Sequence, residues 1–533
     1  MISGRAWRPL IMGRGAVASN HPVATHVGLD ILRAGGSAAD AAVAVSLCLG
    51  VVEPFMSGLG GDGFYHVFDG TSYVYEGTGA APTAATASRF IDGLPDAGPL
   101  SISPPGALAG LAMMHALHGR MSFADLCAPA IRIARDGFLT GHTYRRFVVL
   151  DGWRLRAHSL GGAVYLPGDK PPPVATRIRN PALADSLKEI AKSGIETFYR
   201  GTLASRIVED LAKLGSLVTG TDLAATEAIR RTPISISYRG YQIVQTPPVS
   251  TGFALLQELA ILEHFDLAAI AEDTTSLVHL MVEAKKLAFL DREQFATDPA
   301  AADIPIDQIL SADRIAGLAN EIDPHKAADR PLSGPASAGH TTYFCVVSRE
   351  GQAVSAIQSL NAPFGSGVML ANTGIVMNNR MTCWHLDPDH PNYLMPGKKV
   401  RQTMNAPIVL KEGKLWAVLG TPGADNQVQV NMQAIVGLID LGLDPQQVVE
   451  APRWWSDQPG QGANWPHSGD CSLSVETSYA SDILDGLRAL GHRLKLVPPL
   501  EGPCSLEVIR VADDGIKIAG SDPRRDGWAA AHD

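Results

Sequence analysis

Residues 339–348 read GHTTYFCVVS, and they mark the point where the character of the chain changes. The segment before them, DPHKAADRPLSGPASAGH (323–340), is polar, rich in Pro, Gly, Ala and Ser, and has no hydrophobic periodicity. Irregular segments of this length are usually functional or disordered. The segment after them, TTYFCVVSREGQAVSAIQSL, predicts two strands joined by a turn around 349–352. The pattern therefore predicts a flexible linker that leads into a strand whose first residue is Thr341.

A threonine at this place allows two interpretations. Thr341 is a β-former that begins a strand, as most such threonines are. Alternatively, the His340–Thr341 bond is cut, and the Thr341 hydroxyl becomes a nucleophile activated by its own new α-amine. A free α-amine titrates near about 7.7–8.0, which suits a general base at neutral pH. The local pattern alone leaves both interpretations open.

Working outward, the chain divides into a helical front part and a rear part that mixes strands and helices. Val27 to Leu32 suggest a first helix that stops at Gly35-Gly36, and Ser37 is placed to cap a buried helix over 38–52. SGLGGDG (57–63) predicts a turn, FYHVF (64–68) a strand, and 100–300 mainly helix.

The 533 residues carry a net charge of −10 without a Lys/Arg run, which argues against a nucleic-acid partner. The six cysteines are scattered and fit free thiols in a reducing compartment. The longest apolar run, 41–52, is too short to span a bilayer, and no secretory signal is evident. These features predict a soluble cytoplasmic protein without a membrane partner.

No metal site or cofactor is expected, because the 16 histidines show no HExxH or similar spacing. His66, His118 and His279 lie in apolar periodic stretches and are interpreted as core or surface histidines.

Long motifs in a fixed order resemble the gamma-glutamyltranspeptidase family of N-terminal-nucleophile (Ntn) hydrolases, including its oxamate amidohydrolase-like branch. The front part carries NHPVATHVGLDILRAGGSAADAAVAV, SGLGGDGF, PPGALAG, PAIRIARDGF, NPALA, PPVSTGFALLQELAILE and HLMVEAKKLAFLDR; the rear part carries GHTTYFCVVS, SLNAPFGSGV, NAPIV, GTPGADNQV, APRWW and SDPRRDG.

The resemblance implies an α+β fold, the αββα sandwich of Ntn hydrolases, formed jointly by two fragments of one autocleaved proenzyme. The cut falls between His340 and Thr341. It divides the chain into a helix-rich large subunit (1–340) that ends in the linker 323–340, and a small subunit (341–533) that begins with the nucleophile. The two fragments stay together as a heterodimer, and a higher oligomer is compatible with this.

The resemblance also implies a catalytic set. Thr341 matches the nucleophile, and Ser359 stands where the family usually has a threonine that hydrogen-bonds the nucleophile's amine. Asn361 matches an asparagine that contacts substrate and nucleophile. Gly423 and Ala424 stand where two glycines offer backbone N–H groups to the oxyanion.

The substrate-binding positions depart from the family pattern. Thr78 stands where γ-glutamyl enzymes hold the substrate α-carboxylate with an arginine, and Cys383 stands where they hold the α-amine with an acid. Arg380 replaces a Gln or Glu. A serine pair is replaced by Gln402-Thr403, with Arg401 adjacent.

An arginine in place of a carboxylate disfavours an ammonium-bearing glutamyl group and favours a small, purely anionic amide. The opposing interpretation makes Arg380 and Arg401 surface or structural ion-pair residues.

The expected function is an autoprocessing amidohydrolase that cleaves a small carboxylate-bearing amide, oxamate-like or acyl-amide, through an acyl-enzyme on Thr341. One alternative is a genuine γ-glutamyl hydrolase or transferase acting on glutathione. An alternative of another class is a catalytically inactive binding protein that retains the fold.

Overall fold

The computed structural model describes residues 6–158, 162–332 and 340–533. In it, His340–Val347 forms a strand that pairs antiparallel with Ala353–Asn361. The predicted hairpin is therefore confirmed, and its first strand begins one residue before Thr341. The pairing register shifts between His340 and Thr342, so Thr341 lies at a bulge-like irregularity. Such irregularities re-aim a side chain and are frequent beside active sites.

The described strands and helices follow in chain order. The strands are β1 Ile11–Gly13, β2 Gly15–Ser19, β3 Asp62–Phe68, β4 Ser72–Gly77, β5 Phe138–Leu139, β6 Arg177–Ile178, β7 Ile229–Arg231, β8 Ile234–Tyr238, β9 Tyr241–Gln245, β10 His340–Val347, β11 Ala353–Asn361, β12 Ile408–Lys411, β13 Lys414–Gly420, β14 Trp454–Ser456, β15 Leu473–Glu476, β16 Leu494–Val497, β17 Glu507–Val511, β18 Lys517–Ser521 and β19 Trp528–His532. The helices are α1 Pro22–Arg33, α2 Ala38–Val52, α3 Ala107–His118, α4 Phe123–Asp136, α5 His142–His158, α6 Gly162–Tyr165, α7 Pro181–Ser193, α8 Glu196–Tyr199, α9 Thr202–Lys213, α10 Gly220–Ala224, α11 Gly252–Leu262, α12 Thr274–Phe295, α13 Ile306–Ile309, α14 Ala312–Asn320, α15 Asn426–Ile439, α16 Pro445–Glu450 and α17 Ser481–Ala489, with short 3₁₀ turns at Ala87–Phe90, Pro99–Ser101, Pro167–Asp169 and Arg380–Cys383.

Two seven-stranded sheets form the centre of the molecule. One has the order β1-β18-β17-β13-β12-β9-β8, and the other has the order β19-β2-β10-β11-β3-β4-β7. Alternate residues of β10 face opposite layers: Tyr343 and Cys345 pack between the sheets, whereas Phe344 and Val346 pack against the front helices. Helices α11, α12 and α15 cover the outer face of the other sheet. The predicted α+β sandwich with αββα layers is confirmed.

Helix α2 begins and ends where the sequence predicts. The Ser37 hydroxyl accepts from the Asp40 amide at 3.1 Å, and the Asp40 carboxylate accepts from the Ser37 amide at 2.8 Å, which completes a capping box. Almost every residue of the helix is buried, so it packs in the core between α1, α4 and the β10–β11 hairpin.

The expectation of mainly helix over 100–300 is confirmed by helices α3 to α12, but strands also occur there, most of them at residues 229–245. Strands β7, β8 and β9 lie there, and β8 and β9 are joined by a two-residue turn. Arg239 and Gly240 in that turn both have positive φ, 51° and 79°, as the tight hairpin turn favoured by strand twist requires.

The segment predicted as a linker lies partly outside the description. Residues 333–339 are outside the described ranges. The Leu332 amide donates to the Pro459 carbonyl at 2.6 Å, and the Ala327 amide donates to the Leu490 carbonyl at 2.7 Å. The described part of the segment, 323–332, is therefore held against the rear part of the chain.

Within the described ranges, no helix is both long enough and apolar enough to span a lipid bilayer.

Candidate active site

The structure places Thr341 in a buried position beside the end of β11. Thr341 is 2% exposed, and its Oγ1 lies 3.2 Å from the Oγ of Ser359. The main chain of His340 continues β10, while the His340 side chain lies outside the described part. The two hydroxyls that the sequence singled out are thus brought into hydrogen-bond contact.

Ser359 also links the nucleophile candidate to Asn361. The Asn361 amide donates to the Ser359 Oγ at 2.8 Å. Asn361 has φ of +80°, a left-handed backbone that asparagine tolerates better than most side chains. This backbone conformation ends β11 and directs the Asn361 side chain toward a cluster of polar side chains.

The amide group of Asn361 is the centre of that cluster. Its Nδ2 donates to Asn464 Oδ1 at 2.9 Å, to Thr382 Oγ1 at 3.1 Å and to Asn379 Oδ1 at 3.1 Å. Its Oδ1 accepts from Arg380 Nη1 at 3.3 Å. Because the nitrogen and the oxygen of this side-chain amide both have hydrogen-bond partners, the orientation of the Asn361 side chain is defined.

Arg380 is a buried cation paired with Asp62. It is 2% exposed, and its Nε lies 3.3 Å from Asp62 Oδ2. Its Nη2 has no hydrogen-bond partner in the described part of the chain. Burial raises the pKa of Asp62 even though the Arg380 charge opposes it. Arg380, which the sequence predicts as an added cation, is thus paired with an acid from the SGLGGDG segment.

Cys383 is buried beside the same groups. Its Sγ lies 3.2 Å from Asn464 Oδ1 and 3.4 Å from Asn361 Oδ1. Burial raises the pKa of this thiol although Arg380 opposes the rise, so the group is neutral near pH 7. An uncharged sulfur thus stands where the family pattern has an acid.

Gln402 borders this cluster, while Arg401 and Thr403 make other contacts. Gln402 Nε2 lies 3.5 Å from Asp62 Oδ2, and its Oε1 is unpartnered among the described residues. Arg401 is 3% exposed and pairs with Glu293 at 2.9 Å. Thr403 is buried, and its carbonyl accepts from Asn405 Nδ2 at 2.7 Å.

Thr78 is buried near the cluster, but the hydrogen bond of its hydroxyl goes to a residue outside it. Thr78 Oγ1 donates to Glu76 Oε1 at 2.7 Å, and that carboxylate also pairs with Lys399 and Arg231. The next residue, Gly79, approaches the site instead, with its amide 3.3 Å from Asp62 Oδ1.

Gly423 and Ala424 form the turn that starts α15. Both have positive φ, +129° and +51°, and their carbonyls accept from the Asn426 and Gln427 amides. A Cβ on Gly423 would lie 2.4 Å from Cys504 Sγ, so glycine is required by space as well as by φ. Strand β13 ends immediately before this turn with Gly420 packed against the Tyr343 ring, so the turn emerges beside the start of β10.

The structure adds six residues to the site that were not predicted from the sequence. Asn379 and Thr382 contact the Asn361 side chain, and the other four are Asp62, Asn464, Arg525 and Glu53. Asp62 and Asn464 contact the Asn361 cluster, as described above. Arg525 donates from Nη1 to the Thr341 carbonyl at 3.1 Å, and Glu53 accepts from the Thr342 hydroxyl at 2.7 Å. Asp62 and Arg525 are charged residues within the quoted motifs SGLGGDGF and SDPRRDG, so the motifs could have indicated them as site residues. Asn464 lies in a loop without a recognisable sequence pattern.

Two groups of potential metal ligands occur among the described residues, and hydrogen bonds explain the first. Glu293, His385 and His390 are close together, but His390 Nδ1 accepts from the Asn392 amide at 3.0 Å. Its other nitrogen, Nε2, must then carry the proton and donate to Glu293 at 3.0 Å. The rings of His385 and His390 also stack with centroids 3.4 Å apart, a geometry in which two lone pairs cannot converge on one ion.

The second group is explained in the same way. His279 Nε2 donates to the Asp323 carbonyl at 2.8 Å, so its Nδ1 accepts from His492 Nε2 at 2.9 Å. Glu283, the third member, pairs with Lys286 at 2.7 Å. His279 is thus a hydrogen-bonded core histidine, as predicted. His66, whose Nδ1 donates to the Ala406 carbonyl at 2.7 Å, is also buried.

Comparison with known proteins defines the class of this fold and site. A family model described as gamma-glutamyltranspeptidase matches residues 24–532. The glutathione hydrolase-like YwrD proenzyme of Bacillus subtilis is 36% identical over 96% of this chain and 97% of its own length. The oxamate amidohydrolase proenzyme of Klebsiella pneumoniae is 33% identical over 97% of this chain and 98% of its own. Among solved structures, the cephalosporin acylase of Bacillus halodurans superposes with a TM-score of 0.90 at 32% identity, covering 99% of this chain and 98% of that one.

The fold and the relatives therefore define an amidohydrolase or acyltransferase of the Ntn-hydrolase class. The chain belongs to the gamma-glutamyltranspeptidase family. The family resemblance seen in the sequence is confirmed, and the enzymatic class is confirmed with it.

Proposed function

We propose that the chain is a proenzyme that cuts its own His340–Thr341 bond and then hydrolyses the amide bond of a small carboxylate-bearing substrate through an acyl-enzyme on Thr341. The large subunit would be 1–340 and the small subunit 341–533. The observation that carries the proposal is the buried Thr341 Oγ1 at 3.2 Å from Ser359 Oγ. Asn361 connects Ser359 to the buried Arg380, whose Nη2 has no hydrogen-bond partner among the described residues.

Maturation follows from the same hydroxyl. Thr341 Oγ1 attacks the His340 carbonyl carbon, and the C–N bond breaks as the acyl group moves from nitrogen to oxygen. Water then hydrolyses the ester and leaves residue 340 with a carboxylate and Thr341 with a free α-amine. The strand register break at Thr341 supports this step, because it sets the residue apart from regular pairing.

Turnover uses the new amine as the base. It takes the Oγ1 proton as the oxygen attacks the substrate carbonyl, and it returns a proton to the leaving nitrogen as the amide bond breaks. The oxyanion is received by the backbone N–H groups of Gly423 and Ala424, each donor of this kind contributing about 2.7–4 kcal/mol. Water, activated by the same amine, releases the acid.

The polar cluster supports an anionic substrate. Arg380 is held on one side by Asp62 and Asn361, and its Nη2 is left for a further acceptor. Arg–carboxylate pairs of this kind are strong and geometrically specific. Cys383 offers no negative charge to an ammonium group. An oxamate-like amide therefore fits better than a γ-glutamyl group.

One observation favours the second candidate, a γ-glutamyl hydrolase or transferase acting on glutathione. Asp62 supplies an acid within the cluster, although at a different position from the acid of the family pattern. A substrate ammonium group in contact with the Asp62 carboxylate would have the negative partner that the neutral Cys383 does not provide. The relative named glutathione hydrolase-like, at 36% identity, supports keeping this candidate.

A release assay separates the two candidates. The purified protein is assayed with oxamate, glutathione, glutaryl amides and a γ-glutamyl anilide, and the small fragment is sequenced from its amino end. We expect Thr-Thr-Tyr-Phe and preferential release from oxamate or an acyl amide. Preferential turnover of glutathione would select the second candidate.

The nucleophile is tested in the same material. Thr341→Ala should leave one uncut chain without turnover, whereas Thr341→Ser, which keeps a hydroxyl, should still be cut. Turnover by the alanine variant would remove Thr341 from the mechanism.

A further inference from the structure

The first two residues of the small fragment are held from two sides by buried charged groups. Arg525 is 7% exposed; its Nη1 donates to the Thr341 carbonyl at 3.1 Å, and its Nη2 donates to the Pro503 carbonyl at 2.8 Å. Two carbonyls on different segments thus fix the plane of the guanidinium. Cleavage of the preceding bond leaves both contacts intact, because the Thr341 carbonyl is on the other side of the residue.

The opposing group is Glu53, at the end of α2. It is 1% exposed, and its Oε2 accepts from the Thr342 hydroxyl at 2.7 Å. Asn20 Nδ2 donates to the same hydroxyl at 3.2 Å. Burial raises the pKa of Glu53 to about 7, while the Thr342 hydrogen bond and the Arg525 charge oppose that rise. The Arg525 and Glu53 charges therefore act on each other across the start of β10.

We propose that Arg525 is a positioning residue that holds the Thr341 carbonyl and, together with Glu53 on Thr342, sets the charge environment of the new α-amine. This inference rests on the proposed function, since it concerns the amine that the cut at Thr341 creates.

The physical reason is the distance between the guanidinium and the amine. A carbonyl oxygen and the nitrogen of the same residue are separated by about 3 Å, so the Arg525 Nη1 lies at most roughly 6 Å from the Thr341 nitrogen. A cation at that distance in a buried site disfavours the ammonium form. The amine then stays neutral, and so available as a base, at a lower pH. An ionised Glu53 has the opposite effect.

Other titratable groups face this pair from the surrounding segments. Those whose charges reach Arg525 or Glu53 include Asp522, Asp526, Glu507, Cys504 and Arg146. Across the site, Asp62 and Arg380 form a pair of opposite charge. Among the described contacts, none of these groups forms a hydrogen bond with the Thr341 carbonyl. Arg525 is the charged residue that binds it directly.

The experiment is the pH dependence of kcat/KM of the self-cut enzyme and two single variants. In Arg525→Gln the lost cation should raise the amine pKa and move the acidic limb of the profile up by about one pH unit. In Glu53→Gln the lost anion should move the limb down by a smaller amount where the limb lies above about pH 7, the pKa of Glu53. Shifts of the acidic limb in opposite directions indicate an effect of charge, because loss of packing does not produce shifts of opposite sign.

Two controls separate charge from structure. Arg525→Lys keeps the cation, and its limb should lie close to that of the parent even if kcat falls. Arg488→Gln removes a half-exposed arginine of α17, paired with Asp485 at 2.7 Å, and should leave the limb in place. An unmoved limb in Arg525→Gln, or a limb in Arg525→Lys displaced as far as in Arg525→Gln, would overturn the inference.

If Arg525→Gln does not fold or mature, the pH profiles of Glu53→Gln and Arg525→Lys test the inference. Where the limb lies above about pH 7, an unmoved limb in Glu53→Gln overturns the inference and a downward shift supports it. Where the limb lies below that pH, Glu53 carries a proton, so an unmoved limb supports the inference and a shifted limb overturns it. The proposed function fails separately, through turnover by Thr341→Ala or absence of the Thr-started fragment.

Discussion

Arg380 and Arg401 show how burial and partners decide the role of a residue. Both are almost fully buried and both pair with an acid, Asp62 and Glu293 respectively. Only Arg380 also contacts Asn361, whose backbone amide reaches the Ser359 hydroxyl. The contacts of Arg380 therefore lead to Thr341, and this arginine is the better candidate for a substrate carboxylate.

Replacing Arg380 should weaken anionic substrates selectively. Because Arg380→Gln alone would leave Asp62 buried without a countercharge, the informative variant is Arg380→Gln with Asp62→Asn. We expect KM for an oxamate-like anion to rise at least about tenfold, since a charged hydrogen bond contributes about 1.5–3 kcal/mol. Steady-state kinetics on the anion and on a neutral amide of similar size measure the effect. An equal rise in both KM values would show that the pair has a structural role only.

At the scale of elements, α11 carries a buried acid that the site does not use. Glu258 is fully buried, and neither of its carboxylate oxygens has a hydrogen-bond partner among the described residues. Burial raises its pKa to about 8, although the Lys285 charge on α12 opposes the rise. The α11–α12 packing is therefore sensitive to the protonation of one side chain.

Glu258→Gln should make the free energy of unfolding less dependent on pH. Folded Glu258 keeps its proton up to about pH 8, whereas in the unfolded chain the proton is lost near pH 4.5, so the parent loses stability as pH rises between these values. Glutamine has no proton to lose. The variant should match the parent near pH 5 and exceed it near pH 8 by up to a few kcal/mol, at about 1.4 kcal/mol per pH unit.

Denaturant unfolding at the two pH values measures the difference. The exposed Glu272→Gln makes the same substitution on the surface and should show no such pH dependence. A constant difference between Glu258→Gln and the parent at both pH values would contradict the assignment.

The element scale also shows which signals could be read in advance. The capping box of α2 and the β10–β11 hairpin are local patterns, and both were predicted from adjacent residues. Strands β8 and β9 were missed, although ISISY alternates and Arg239-Gly240 is a turn signal. Their short length next to long helical patterns hid them, because periodicity over five residues is weak.

At the scale of the whole molecule, the two proposed fragments are interleaved. Strand β2, from the front part, lies between β10 and β19, and β3 pairs with β11. In the other sheet, β9 pairs with β12 and β1 pairs with β18. Both sheets would lose internal strand pairs if the fragments separated.

The cut enzyme should therefore behave as one unit. After maturation, both fragments should elute together in size-exclusion chromatography, at the volume of the uncut Thr341→Ala chain, and should separate only in denaturant. The reason is the number of backbone hydrogen bonds and the apolar area shared between them. Dissociation on simple dilution would contradict the shared sandwich.

The sequence by itself determined the hairpin at Thr341, the capped helix α2 and the family to which the chain belongs. These depend on local periodicity, turn chemistry and motif order, which are all written along the chain. The tertiary structure alone decided that Asp62 faces Arg380, 318 residues away, and that Arg525 reaches the Thr341 carbonyl, 184 residues away. No local pattern encodes such pairs, because the packing of the two sheets, rather than the neighbours in sequence, brings these charges together.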